Sequence, residues 1–138
     1  MGLSHTSQQR IDLMLPEPIV LLAEDNTEQQ YKTRVLLEEC GCRVIEAGSG
    51  VEAFELALTE KPDVIMLDLK TPVLDGFETA RRIRKITDLR DVPMVAYTAD
   101  YSYSLTDEAL DAGFNEYVIK PGTLEDMKKL VSRYLKVD

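Results

Sequence analysis

Three carboxylates, a hydroxyl and an ammonium in this chain each close a short apolar run. Glu24 and Asp25 follow Ile19 to Ala23, Asp68 follows Val64 to Leu67, Thr98 follows Met94 to Tyr97, and Lys120, with Pro121 behind it, follows Tyr117 to Ile119. Carboxylates held close together repel and raise one another's pKa, so three of them ionised in one site need a compensating cation. Mg²⁺ meets that need: it is a hard ion that takes oxygen ligands, usually one or two carboxylates with waters and phosphate oxygens. Lys120 offsets part of the remaining charge. Such a set suits phosphoryl chemistry. Glu24 and Asp25 are adjacent on one turn, whereas Asp68 stands alone at the end of the central apolar run, which makes Asp68 the better nucleophile. A carboxylate that attacks phosphorus forms an acyl phosphate, with a metal neutralising the developing charge. The Thr98 hydroxyl would then hydrogen-bond a phosphoryl oxygen.

Bringing these five residues together takes a fold that gathers strand ends. After Pro18, short apolar runs alternate with longer amphipathic stretches five times, the rhythm of repeated βα units. Strands are predicted at Ile19 to Ala23, Cys42 to Glu46, Val64 to Leu67, Met94 to Tyr97 and Tyr117 to Ile119. Several are continuously apolar, as in a parallel sheet covered on both faces. Between them the apolar spacing becomes three and four: Val51, Phe54 and Leu58, then Phe77, Ala80, Ile83 and Ile86, and finally Leu124, Met127, Leu130, Val131 and Tyr134. Ser49 with Glu52 predicts a capping box, and Thr123 with Asp126 a weaker one. Gly41 and Gly113 mark helix stops. An α/β domain of this kind has helices on both faces and binds ligands outside the carboxyl ends of its strands. The five residues fall there.

With 138 residues the chain has room for one ordinary domain, read as residues 18–138 behind a flexible tail, residues 1–17. A content of 44% apolar and 30% charged residues excludes wholesale disorder. Sixteen lysines and arginines against 25 acidic residues give a net charge of −9, which repels a phosphate backbone and argues against direct nucleic-acid binding. Arg81, Arg82, Arg84 and Lys85 accordingly read as a solvated face of the third helix. No apolar run approaches the roughly 20 residues of a membrane span. Met1 to Glu17 lacks the apolar stretch of a secretory signal. Cys40 and Cys42 have no further cysteine or nearby histidine to complete a metal site and read as free thiols of a cytoplasmic protein. His5, in the tail, has no expected role.

The segments LLAEDN at 21–26, MLDLKTPVLDG at 66–76, VAYTA at 95–99 and AGFNEYVIKP at 112–121 resemble, in order and spacing, the receiver domain of two-component response regulators. The likeness covers residues 18–136. It implies a flavodoxin-like, doubly wound (βα)5 fold with five parallel strands in the order 2-1-3-4-5. It also implies Asp68 as phosphoacceptor, Glu24 and Asp25 as the acidic metal pair, and the backbone carbonyl of Lys70 as a further Mg²⁺ ligand. Thr98 and Lys120 would contact the phosphoryl group. Tyr117 would be the switch aromatic, changing rotamer as the hydroxyl residue moves toward the phosphate. The implied phosphodonor is a histidine kinase or histidine phosphotransfer protein, and the implied output is a protein partner at the face of the fourth helix, fifth strand and fifth helix. No catalysis is implied beyond Mg²⁺-dependent self-phosphorylation and self-dephosphorylation at Asp68.

Two positions depart from the family pattern. Thr71 precedes Pro72 where methionine is common, and Lys70, two after the phosphoacceptor, is a cation that can pair with the phosphoryl group, compete with Mg²⁺ or point into water. Tyr101 and Tyr103, within 100–104, are candidates for partner contact. Among rival classes, a haloacid-dehalogenase-type enzyme needs a second aspartate where Lys70 stands. A flavodoxin-like electron carrier needs a hydroxyl-rich loop where Glu24 and Asp25 would repel the flavin phosphate. The alternative that remains is a pseudo-receiver, an interaction module independent of phosphorylation; it should lack at least one of the five site residues, and all five are present. The sequence ends at Asp138 just after the last helix, which fits either a stand-alone regulator or a receiver cut from a longer chain.

Overall fold

The computed structural model describes residues 17–70, 75–99 and 107–135. Residues 1–16 of the tail, with His5, as well as Thr71 and the pair Tyr101 and Tyr103, lie outside the described residues. Five strands, β1 (Ile19–Ala23), β2 (Arg43–Ala47), β3 (Val64–Asp68), β4 (Met94–Thr98) and β5 (Glu116–Ile119), alternate with helices α1 (Thr27–Glu39), α2 (Gly50–Glu60), α3 (Gly76–Arg84), α4 (Asp107–Ala112) and α5 (Leu124–Tyr134). A 3₁₀ turn at Thr87–Leu89 precedes β4. All strand pairs are parallel, and the sheet order is β2-β1-β3-β4-β5, the expected flavodoxin-like winding.

Two apolar layers sandwich the sheet. On one face Leu37 of α1 and Met127, Leu130 and Val131 of α5 pack with Val20, Leu22, Met66 and Val95. On the other, Ala53 and Ala57 of α2, Phe77, Ala80 and Ile83 of α3, and Ala109 and Ala112 of α4 pack with Leu21, Ile65, Leu67 and Ala96. The uninterrupted apolar runs of β1, β3 and β4 follow from this, since both faces of those strands are covered.

Several sequence expectations shift. β2 begins at Arg43 rather than Cys42, β5 begins at Glu116, and β3 and β4 run on to include Asp68 and Thr98. On α2 the predicted stripe of Val51, Phe54 and Leu58 is not the buried face. Val51 and Leu58 are 39% and 41% exposed while Ala53 and Ala57 are fully buried, because small side chains let α2 approach the sheet and α3 closely. The cap ranking reverses. Thr123 and Asp126 form the full reciprocal box, whereas Ser49 accepts from the Glu52 amide but the Glu52 carboxylate reaches past the cap to the amide of Gly48. Gly41 and Gly113 do end helices at positive φ. Arg84 leaves the solvated run altogether and turns inward, as described below. Cys40 and Cys42 are free thiols; burial, with help from the charges of Cys40, Glu17 and Asp63, pushes the Cys42 thiol up to about 11. Among the described residues no helix is long and apolar enough to cross a membrane.

Candidate functional site

Register and alternation place the chemistry. Ala23 pairs with Leu67, so Glu24 and Asp68 stand level at the carboxyl ends of β1 and β3, while Thr98 pairs with Ile119, just before Lys120. Successive side chains point to opposite faces of a sheet. Leu22, Met66 and Val118 face the α1/α5 layer. Two residues further on in each strand, Glu24, Asp68 and Lys120 therefore leave the sheet on that same side. Ala96 faces the other layer, and Thr98 follows it.

The turn after β1 is braced by short polar contacts. The Glu24 amide donates to the Ala47 carbonyl at 2.9 Å. The Gln30 side-chain amide donates to the carbonyls of Glu24 at 3.0 Å and Ala47 at 3.2 Å. Asn26 caps α1 by accepting from the Gln29 amide, and its own amide donates to the Glu24 carboxylate at 3.2 Å. Asp68 accepts from the Lys70 amide at 3.0 Å, which turns the chain sharply after β3.

These residues border one open cleft of about 880 Å³, lined by Glu24, Asp25, Asn26, Gln29, Asp68, Lys70, Thr98, Ala99, Lys120 and Pro121. Every site residue nominated from the sequence is in it except Tyr117, which sits one strand position before buried Val118 and is 38% exposed. Glu24, Asp68 and Thr98 are buried, at 2%, 7% and 2% exposure, and Asp25 and Lys70 are exposed. The Lys120 ammonium bonds the carboxylate of Glu24 and lies 2.9 Å from Asp68 Oδ2. Its amide donates to the Thr98 carbonyl at 2.8 Å, fastening the loop to β4.

Burial raises the Glu24 pKa, and the charge of Asp68 adds to the rise; the Lys120 and Asn26 contacts oppose it. Desolvation pulls Lys120 downward, but its bonds to Glu24 and Asp68 and their charges outweigh that, so it ends raised. The two directions agree physically, because the lysine faces two carboxylates while Glu24 must share its one cation with Asp68.

One oxygen from each of Glu24, Asp25 and Asp68 can lie within 4.8 Å of the others. Oxygens about 2.1 Å from a common Mg²⁺ are separated by roughly 3 to 4 Å. A small closing movement would therefore let this all-oxygen set hold a hard divalent ion. What the sequence did not single out is Tyr97, Asn26 and the two glutamines. Asn26 carries a local signal, an asparagine cap before α1, whereas Gln30 and Tyr97 act on partners distant in the chain, which no local motif records.

A parallel doubly wound sheet with an acidic cleft and a half-buried lysine at its carboxyl edge defines a class, and the comparisons agree. The model of the response regulator receiver domain matches residues 20–132, and the chain belongs to that family. It is 36% identical over 123 residues to the transcriptional regulatory protein PdtaR of Mycobacterium tuberculosis, a match covering 86% of this chain and 58% of PdtaR. The receiver domain of the sensor histidine kinase PA1611 from Pseudomonas aeruginosa PAO1, solved with a magnesium ion coordinated in its active site cleft, is 32% identical. Its TM-score is 0.79 over 86% of this chain and 98% of that one. The receiver domain of the Saccharomyces cerevisiae response regulator Ssk1, solved with the histidine phosphotransfer signaling protein Ypd1, matches at 29% identity and a TM-score of 0.77. That match covers 86% of this chain and 89% of the solved chain. This chain spans about half of the length of the curated relatives that are response or transcriptional regulators.

Proposed function

We propose that this chain is a phosphoacceptor receiver of the cytoplasm, residues 18–138, in which Asp68 takes a phosphoryl group from a histidine kinase or histidine phosphotransfer protein. The observation that carries this reading is the meeting of Asp68 with the Lys120 ammonium at 2.9 Å and with Glu24 and Asp25 in one cleft. An Asp68 carboxylate oxygen attacks phosphorus as the bond from phosphorus to the donor's imidazole nitrogen breaks. The imidazole leaves and the acyl phosphate forms, so no other reagent is consumed. Glu24, Asp25, Asp68 and the Lys70 carbonyl would hold Mg²⁺, which when bound neutralises charge on the phosphoryl oxygens. Lys120 supplies a second cation to the same oxygens, and the Thr98 hydroxyl donates to one of them. The magnesium in the PA1611 receiver and the phosphotransfer partner of Ssk1 support this assignment by likeness.

For output, Thr98 and Tyr117 lie on the same side of the sheet, since Val118 between them in register faces the other layer. Leu110 of α4 and Tyr117 of β5 are exposed apolar side chains on the α4/β5/α5 face. A Thr98 hydroxyl drawn to the phosphoryl group vacates space that the Tyr117 ring takes up, and that shifts the balance between two forms of this face and its affinity for a protein partner.

Intact mass after incubation with acetyl phosphate tests the reading. Wild type should gain one phosphoryl group with Mg²⁺ and none with EDTA, the adduct should be acid-stable and base-labile, and Asp68→Asn should gain none. A wild type that gains no mass under these conditions would instead be a pseudo-receiver.

A further inference from the structure

Tyr97 has no part in the reading above, yet its side chain is 1% exposed and joins three elements beside Lys120. The Thr33 hydroxyl of α1 lies 3.0 Å from Tyr97 Oη. The Gly122 amide, in the turn after β5, donates to the same oxygen at 3.0 Å. The Tyr97 oxygen thus accepts from the Gly122 amide and shares a second hydrogen bond with Thr33 in which either hydroxyl can donate. The Tyr97 ring lies 5.2 Å from the Lys120 ammonium, within reach of a cation–π attraction. The seat is close-fitting as well: a β-carbon on Gly122 would stand 3.0 Å from Tyr97 Oη and 2.7 Å from Met127 Cε.

Filling this part of the core needs only apolar volume, which Val20, Leu22, Leu37, Met66 and Leu130 around it supply. A buried hydroxyl adds a desolvation cost that is recovered only when its hydrogen-bond partners are in place. The Thr33–Tyr97–Gly122 arrangement therefore favours one position of the turn over its neighbours. That turn begins with Lys120, whose ammonium lies over the ring of the same tyrosine.

We propose that Tyr97 is a positioning residue for Lys120: its hydroxyl fixes the turn 120–122, and its ring face keeps the ammonium within reach of Asp68. The consequence for rate rests on the phosphoacceptor reading of Asp68; the consequence for the lysine does not.

Two readouts test this in Tyr97→Phe, which keeps the ring and removes only the hydroxyl. Hydrogen exchange of the Lys120 ammonium protons, followed by NMR, should quicken about tenfold, the scale of one lost buried hydrogen bond. Phosphoryl gain from acetyl phosphate with Mg²⁺ should slow about fivefold for the same reason, and in a Lys120→Met background Tyr97→Phe should cause no further slowing. Gly122→Ala approaches the same seat from the other side and should reproduce both effects should Tyr97→Phe fold poorly. Unchanged ammonium exchange, or equal slowing with and without Lys120, reduces Tyr97 to a packing residue and overturns the proposal. A wild type that gains no phosphoryl group defeats the phosphoacceptor reading, and ammonium exchange still decides whether Tyr97 places the lysine.

Discussion

Two cations are drawn into this molecule at opposite ends of one sheet, and they keep different company. At the amino ends of β4 and β5, the Arg84 guanidinium donates to the carbonyls of Leu89 and Arg90 at 3.1 Å and of Val92 at 2.6 Å. It also donates to the Gly113 carbonyl at 3.1 and 2.8 Å and to Asn115 Oδ1 at 2.9 Å. Asn115 in turn accepts from the Met94 amide. Every one of these acceptors is neutral and fixed by the backbone or by a neighbour. At the carboxyl ends, Lys120 faces two carboxylates, Glu24 and Asp68, rather than neutral carbonyls. A half-buried cation among neutral carbonyls can only hold a shape. The same charge among carboxylates has partners that another ligand can take over, which is why the proposed chemistry belongs at that end and architecture at the other.

The largest expected effect falls at the architectural end. Arg84→Met strips the partners from several carbonyls at once and should destabilise the fold by roughly 3 kcal/mol in urea unfolding. Phosphoryl gain per folded molecule should stay within about twofold of wild type, since no atom of Arg84 borders the cleft. A large loss of phosphoryl gain in the folded fraction would break the division between the two ends.

Lys120→Met should cost less, about 1 to 3 kcal/mol at neutral pH, and the cost should depend on pH in a way that Arg84→Met does not. Lys120 has a raised pKa, so its stabilising contribution is fully present below its unfolded pKa and is lost only as pH climbs through the folded value. At neutral pH all of it is at stake. Glu24 is raised too, mainly by burial, so its charged form costs stability; that cost is absent below its unfolded pKa and complete above its folded one. Without the lysine the cost at Glu24 grows. Acidification through the carboxyl range should then shrink the gap between Lys120→Met and wild type, and Mg²⁺ at neutral pH should shrink it also. Urea midpoints measured across pH, with and without Mg²⁺, check both; a gap that ignores pH would mean Lys120 acts by packing alone.

The chemical end was the more readable in sequence, for a physical reason. Phosphoryl transfer needs particular atom types at the ends of particular strands, and apolar runs announce where strands end, so Glu24, Asp25, Asp68, Thr98 and Lys120 stood out together, and with them the strand order of the family they resemble. Arg84 did not stand out. In a run with Arg81 and Arg82 its charge looked like theirs, but those two pair with Glu78 at the surface while Arg84 finds carbonyls up to 31 residues away, counting Asn115. Tyr97 was hidden in the opposite manner, as an aromatic within an apolar strand whose two polar partners lie on α1 and beyond β5. On α2 the larger apolar side chains carry the stronger periodic signal, although the buried positions are those of Ala53 and Ala57.

The smallest effect concerns how tightly the chemical end is tied to the helices behind it. The cap of α5, Thr123, stands three residues after Lys120, and its box has both halves: Thr123 accepts from the Asp126 amide at 3.1 Å and Asp126 accepts from the Thr123 amide at 2.9 Å. α2 has one cap bond to Ser49, at 3.2 Å, and the Glu52 carboxylate serves Gly48 instead. Thr123→Ala should therefore cost about 1 kcal/mol and Ser49→Ala about half as much, the reverse of the order suggested by the residue types alone. Only the first should also slow phosphoryl gain, by less than about threefold, because a frayed first turn of α5 loosens the chain that carries the lysine. Equal unfolding costs, or a Ser49→Ala that slows phosphoryl gain as much as Thr123→Ala, would mean that the reciprocal bond adds nothing to the cap and that the turn after β5 is held by β5 and Tyr97 alone.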